Sequence, residues 1–214
     1  MDLRPLDLPA DLDLAVTLAR DSEQESMGWI DLTPGHVVSL LTGPDAVPAE
    51  GRIAEVDGTP VGLLNIEIDR PLHEVFIDAF AVGELLVDRL RVLVGAGLEA
   101  ARRLAEGDPQ WRVGAGCHPE QVAYGAVLGE CGFVPARRFW RMALGLSQPR
   151  DVPTSPDGVT LRVARDDADV RTVWEIDAAS FADHYGAHTD ESFETWIADI
   201  EARPGHRIDR WWIA

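Results

Sequence analysis

Residues 52–82, RIAEVDGTPVGLLNIEIDRPLHEVFIDAFAV, carry most of the information about the architecture. β-Branched and aromatic residues are concentrated in Arg52–Val56, Val61–Ile68 and Glu74–Val82, which predicts three strands. The Asp57-Gly58 pair between the first two strands favours a two-residue hairpin, because both residues of such a turn need a positive φ. The sequence therefore predicts a sheet with an antiparallel start.

Helical patterns lie on both sides of these strands. Apolar residues recur three and four positions apart, the spacing of one helix face, in four stretches: 11–21, 34–41, 86–107 and 119–131. Thr33-Pro34 is a start signal for the second stretch, and Gly132-Phe133 follows the last. Short strands are expected at 111–116 and Arg138–Leu146. This order predicts an α/β fold whose mixed sheet becomes parallel through β-α-β crossovers.

The chain also contains a faint internal repeat. Residues 147–158 are rich in proline, lack apolar periodicity and are predicted to be a linker. Beyond them the N-terminal pattern returns, with Leu3-Arg4 matching Leu161-Arg162. We therefore expect a complete domain at 1–146, the linker at 147–158, and a second copy at 159–214 that ends at its second strand. The two copies are expected to contact each other.

The net charge of −18 limits the expected partners. The chain has 37 acidic residues and 19 basic ones, and every basic residue is arginine. Such an excess of negative charge repels phosphate backbones and anionic lipid, so neither nucleic acid nor a membrane is an expected partner. The absence of lysine excludes Schiff-base and P-loop chemistry. Two cysteines, an acidic N-terminus and the lack of a long apolar run predict a cytoplasmic protein.

The order of elements, with Gly132-Phe133 closing the last helix, resembles that of the GCN5-related N-acetyltransferase (GNAT) superfamily. The linker and the repeat resemble its tandem members, of which mycothiol synthase is one type. FADHYG at 181–186 resembles the start of their second domain. The resemblance implies a tandem GNAT-like fold and an acetyl-CoA-dependent N-acetyltransferase that acts on the amine of a small molecule. The expected site contains no metal ion.

The resemblance also implies a place for the cofactor. In this superfamily the pantetheine of acetyl-CoA pairs with the edge of the fourth strand. The diphosphate lies at the N-terminus of the next helix, behind a Q/R-x-x-G-x-G/A loop. Counting forward from Val82 places Val87–Val92 over this loop, and none of its glycines is present. The family positions that bind the cofactor are then Val82 on the strand, Arg89, Leu90, Arg91 and Val92 in the loop, and Gln121 before the last helix.

The last helix of the first domain departs from the family pattern as well. Gln121 takes the place of a usual Asn, and Leu128 takes that of a Tyr that often protonates the leaving thiolate. The resemblance therefore implies that the first domain has degenerate cofactor motifs and that the second copy carries catalysis. A non-catalytic scaffold or ligand-binding domain is the main alternative for the first domain.

Two strand carboxylates are the candidate general bases. Asp78 lies between Phe76 and Phe80 on one face of the third predicted strand of the 52–82 stretch, and Glu67 lies on the strand before it. A carboxylate in a cleft can take the proton of an attacking amine. Each can equally be a hydrogen-bonded or solvent-facing carboxylate without a chemical role.

Two further signals compete with this interpretation. Gly95-Ala96-Gly97, with Ala100 three positions on, fits the fingerprint of a dinucleotide-dependent oxidoreductase. Because the apolar stripe continues through these glycines, close packing of a helix on the sheet is the competing explanation. His184 and His188 have the spacing of two metal ligands on a helix, but Gly186 interrupts that helix and no third ligand is apparent.

Overall fold

The computed structural model describes residues 1–140, 142, 144–145, 147, 154–184, 192–202 and 206–214. It divides into two compact units, Met1–Phe139 (unit 1) and Trp140–Ala214 (unit 2). Among the described residues, no helix is long and apolar enough to cross a membrane.

Unit 1 is built on a five-stranded mixed sheet. Its strands lie in chain order: β1 (Asp2–Pro5), β2 (Arg52–Val56), β3 (Thr59–Asp69), β4 (Glu74–Ala81) and β5 (Arg112–Gly114). The first four strands are antiparallel, and β5 pairs with β4 in parallel. Asp57 and Gly58 both have the positive φ that the predicted hairpin requires. The α/β fold class and the mixed sheet are therefore confirmed.

Helices cover both faces of this sheet. The four helices of unit 1 are α1 (Leu12–Met27), α2 (Pro34–Thr42), α3 (Leu86–Leu104) and α4 (Val122–Glu130). Helices α1 and α2 share one apolar core with Ile53 and Leu63. Helices α3 and α4 share the other core with Ile77. Because β4 contributes alternate side chains to opposite faces, it separates the two cores.

Two predicted elements of unit 1 differ from the structure. Helix α4 begins at Val122, not at Pro119, because the residues before it form a turn that ends at the helix N-cap, Gln121. The described residues of Arg138–Leu146 contain no strand, and Phe139 and Met142 are 87% and 92% exposed. The outer strand on that side, β5, is three residues long and therefore offers only a short edge for a further strand.

Unit 2 contains the described elements β6 (Arg162–Val163), α5 (Asp167–Phe181), α6 (Phe193–Ala202) and β7 (Trp212–Ile213). Strands β6 and β7 are antiparallel, with Arg162 opposite Ile213. The guanidinium of Arg162 lies 2.6 Å from the carboxylate of Asp169 at the start of α5. This ion pair connects β6 to α5.

Candidate functional site

The candidate site of unit 1 lies where β4 and β5 separate. The two strands pair only from Glu74 to Phe76, opposite Arg112 to Gly114. Strand β4 then continues to Ala81 without β5 beside it. The backbone groups of β4 that point away from β3 beyond Phe76 therefore have no strand partner, as the resemblance implies for a cofactor groove.

Tyr124 in α4 lies on this edge of β4. Its hydroxyl donates to the carbonyl oxygen of Ile77 at 3.3 Å. Burial raises the pKa of Tyr124, the nearby Asp78 carboxylate raises it further, and a hydrogen bond from the backbone N–H of Ala79 acts against that rise. The phenol is thus uncharged at neutral pH. Sequence reasoning examined only Leu128 for a tyrosine, although Tyr124 lies one turn earlier on the same face of the helix.

Two side chains of α1 accept hydrogen bonds from backbone N–H groups farther along the same edge of β4. Val82 donates its N–H to Val61 in β3, so the N–H groups of Ala81 and Gly83 point to the other side. Ala81 donates to the Ser22 hydroxyl at 3.1 Å, and Gly83 donates to the Glu25 carboxylate at 2.6 Å. The edge of β4 is therefore occupied by α1 as well as by α4.

The start of α3 differs from the glycine-rich loop of the family. The helix begins at Leu86, directly after Leu85, which has a left-handed backbone with φ of 63°. The stretch Val87–Val92, predicted to overlie the loop, therefore lies in the first two turns of the helix. Leu90 is buried in the core, and Val92 is exposed on the outer surface. The helix predicted to begin at Leu86 is confirmed, and the positions counted as the family loop lie inside it, because helical hydrogen bonds begin with the N–H of Arg89.

The polar side chains at the family positions are engaged within unit 1. The guanidinium of Arg89 donates to the carbonyl of Val82. That of Arg91 pairs with Asp88 at 2.6 Å and with Glu130 at 2.8 Å, which ties α3 to α4. The Gln121 side chain accepts the N–H of His118 at 2.8 Å and stabilises the turn before α4.

These contacts test whether unit 1 fits coenzyme A, the group that the fold family implies. A pantetheine bound like a strand needs free backbone groups along β4, and a diphosphate needs free N–H groups without a competing carboxylate. The groups at Ile77, Ala81 and Gly83 have internal partners, and one partner is the carboxylate of Glu25. The residues present in unit 1 do not fit coenzyme A.

The predicted carboxylates Asp78 and Glu67 lie together on the α2 face of the sheet. Asp78 is opposite Asn65, whose side chain donates to it at 3.2 Å, and Glu67 is the next residue on that face of β3. Burial raises the pKa of Asp78, while Asn65 and the charge of His36 lower it. Burial, Asp78 and Asp45 raise the pKa of Glu67 to about 7. This face can hold a proton or a cationic group near neutral pH.

The competing dinucleotide prediction is wrong. Gly95 and Gly97 lie in the middle of α3, whereas the fingerprint belongs at a turn between a strand and a helix. A Cβ atom on Gly97 would lie 2.8 Å from Ile77 Cγ2, so this glycine allows α3 to pack closely on β4. Of the two histidines that have the spacing of metal ligands, His184 belongs to unit 2 and His188 lies outside the described residues.

Comparisons with known proteins point to one superfamily. The chain is 32% identical over 181 residues to a mycothiol acetyltransferase of Salinispora arenicola and 29% identical to that of Salinispora tropica. Each alignment covers 84% of this chain and 53% of the relative, so the chain spans about half the length of the curated relatives it matches. No protein-family model matches the chain.

A solved structure is similar to this chain in fold. The crystal structure of a GCN5-related N-acetyltransferase from Sphaerobacter thermophilus superposes with a TM-score of 0.73 at 20% sequence identity. The superposition covers 94% of this chain and 63% of that one. The likeness shows that the two chains share a fold.

Proposed function

The chain belongs to the GCN5-related N-acetyltransferase superfamily, and on that premise we propose that the full-length protein uses acetyl-CoA to acetylate the amine of a small molecule. The main support is the match to two mycothiol acetyltransferases over 181 residues. The acceptor that we infer is therefore a small molecule of the mycothiol type.

We propose that unit 2 is the beginning of a second GNAT-like domain. In unit 1 the guanidinium of Arg4, opposite Ile53 in the sheet, lies 2.6 Å from Asp11. In unit 2 Arg162, opposite Ile213, lies 2.6 Å from Asp169. In both units the same aspartate also accepts a backbone N–H at 2.9 Å from the residue four positions before it. This shared set of contacts supports a tandem arrangement of two related domains.

For unit 1 alone, the second candidate function is a non-catalytic scaffold or ligand-binding domain. The observation that favours it is the occupied edge of β4. General-base catalysis by Glu67 or Asp78 stays a prediction, because it requires an acetyl thioester on the same unit. As ligand-binding groups the two carboxylates would instead hold the cationic ammonium of a small molecule, to which a negative surface is favourable.

The acetyltransferase proposal is tested by incubating the purified full-length protein with acetyl-CoA and a panel of small-molecule amines. Mass spectrometry of the amines should show amide formation that requires the protein and is strongest for amines of the mycothiol type. If the protein acetylates the amine of a peptide but acetylates no small molecule of the panel, the proposed substrate class is contradicted.

The role of the carboxylates is tested with Glu67→Gln and Asp78→Asn in the full-length protein. Ligand binding by a non-catalytic unit 1 predicts that the Kd of the amine rises by about tenfold, because each variant loses about 1–2 kcal/mol of charged contact, while kcat and KM of acetyl transfer are retained. General-base catalysis predicts a kcat lowered by about 100-fold or more and a flattened acidic limb of the pH profile. The exposed Asp21→Asn on α1 is the control for the change in charge.

A further inference from the structure

We infer that the cofactor groove of unit 1 is closed by the unit's own side chains, Ser22 and Glu25 of α1 and Tyr124 of α4, and that this closure keeps coenzyme A out. The inference rests on the proposed function only in its choice of coenzyme A as the ligand. It goes beyond the loss of sequence motifs, because it names the groups that occupy the groove.

The hydrogen bonds that close the groove lie along the exposed edge of β4. Beyond the last pair with β5, the carbonyl of Ile77 accepts a hydrogen bond from Tyr124, and the N–H groups of Ala81 and Gly83 donate to Ser22 and Glu25. These groups point in the direction in which an added strand would pair. A pantetheine would have to break each of these bonds before it could form its own.

The charge at the far end of the groove opposes coenzyme A as well. The Glu25 carboxylate accepts the Gly83 N–H just before α3 begins, and Asp88 lies in the first turn of that helix. A helix N-terminus attracts one anion through its free N–H groups and its dipole. In unit 1 the carboxylate of Glu25 lies beside this place, on the N–H of Gly83, and it repels a diphosphate.

A fourth contact joins the end of α1 to the turn before α4. The loop after α1 brings the Trp29 indole N–H to the carboxylate of Glu120 at 2.7 Å, with the His118 ring packed edge-on against it at 5.3 Å. Glu120 and His118 belong to the turn before α4. The end of α1 is therefore attached to β4 through Ser22 and Glu25, and to the other side of the groove through Trp29.

Binding of coenzyme A to the 214-residue chain tests the inference by calorimetry. The wild-type chain should give no saturable heat of binding at coenzyme A concentrations up to about 1 mM. A Kd of about 1 mM corresponds to a binding free energy of about −4 kcal/mol. The triple variant Ser22→Ala, Glu25→Ala, Tyr124→Phe should gain saturable binding at least about tenfold tighter than this limit. The control Asp21→Ala removes one exposed charge from the same helix and should stay without binding.

Two outcomes would overturn the inference: saturable binding of coenzyme A by the wild-type chain, or a folded triple variant that still binds none.

Amide hydrogen exchange keeps the test decisive if the triple variant does not fold. Ser22→Ala should speed exchange at Ala81 by about tenfold or more, without a similar change at Val82, whose N–H bonds to β3. Unchanged exchange at Ala81 would show that Ser22 does not hold this edge. None of these readouts depends on acetyl transfer by the full-length protein, so a failure of the proposed function would be seen separately.

Discussion

Glu67 shows how neighbours on a sheet change the chemistry of one residue. Its pKa rises from 4.5 to about 7 because it is partly buried and because Asp78 and Asp45 lie nearby. Between pH 4.5 and about pH 7, Glu67 in the native state therefore keeps a proton that it has already released in the unfolded chain. By linkage, the free energy of unfolding falls as the pH rises from about 4.5 to about 7, and then no longer depends on this group.

The variant Glu67→Gln should remove this pH dependence. Relative to wild type, the variant should gain stability between pH 5 and pH 8, because an amide has no proton to lose and no charge to bury. Urea unfolding midpoints at the two pH values measure the change. Asp21→Asn, an exposed acid on α1, is the matched control and should show about the same difference at both pH values. A wild-type chain that gains stability relative to Glu67→Gln as the pH rises would contradict the raised pKa.

Helix α3 shows how an element is positioned by the absence of a side chain. Gly97 is buried against Ile77 of β4, and a Cβ atom there would lie 2.8 Å from Ile77 Cγ2 and 2.9 Å from Cδ1. Ile77 is fully buried and β-branched, so it cannot turn away easily. Gly95, two residues earlier in the same helix, has no atom within 4 Å of the corresponding position.

The two glycines should respond oppositely to alanine. Gly97→Ala should destabilise unit 1 by about 1–2 kcal/mol, because overpacking against Ile77 outweighs the better helix propensity of alanine. Gly95→Ala should stabilise it by about 0.5–1 kcal/mol, because only the propensity changes. Denaturant unfolding of both variants measures the difference. Stabilisation by both substitutions would show that α3 can move away from β4 without loss.

At the scale of the whole molecule, charge is the dominant feature. With 37 acidic residues, 19 arginines and a net charge of −18, the chain repels itself at neutral pH. Local ion pairs such as Arg91–Glu130 relieve part of this repulsion within unit 1. The remaining long-range repulsion is sensitive to salt, because the screening length is about 8 Å at physiological ionic strength.

Added salt should therefore stabilise the chain. Raising NaCl from about 10 mM to about 150 mM shortens the screening length from about 30 Å to about 8 Å and should raise the melting temperature at pH 7.5. The same measurement near pH 4.5 is the control, because many carboxylates are then protonated and the effect should shrink. A melting temperature that falls with salt at pH 7.5 would mean that attractive ion pairs outweigh the net repulsion.

The sequence by itself determined the order of elements in unit 1 up to α4. Periodicity and turn residues are local, so the hairpin at Asp57-Gly58, the long helix through Gly97 and the mixed sheet were predictable. The two-residue period of a strand placed Asp78 on the face of Phe76 and Phe80, whereas the register between β3 and β4 puts Glu67 on that face as well. The family resemblance agrees with the similar proteins found by comparison, which are named mycothiol acetyltransferases.

Tertiary structure alone decided the state of the groove. Ser22 and Ala81 are 59 positions apart in sequence, and Tyr124 and Ile77 are 47 apart, so no local pattern reports these contacts. The raised pKa of Glu67 likewise depends on the groups that pack near it. Whether a backbone N–H is free for a ligand depends on the side chains that folding brings to it.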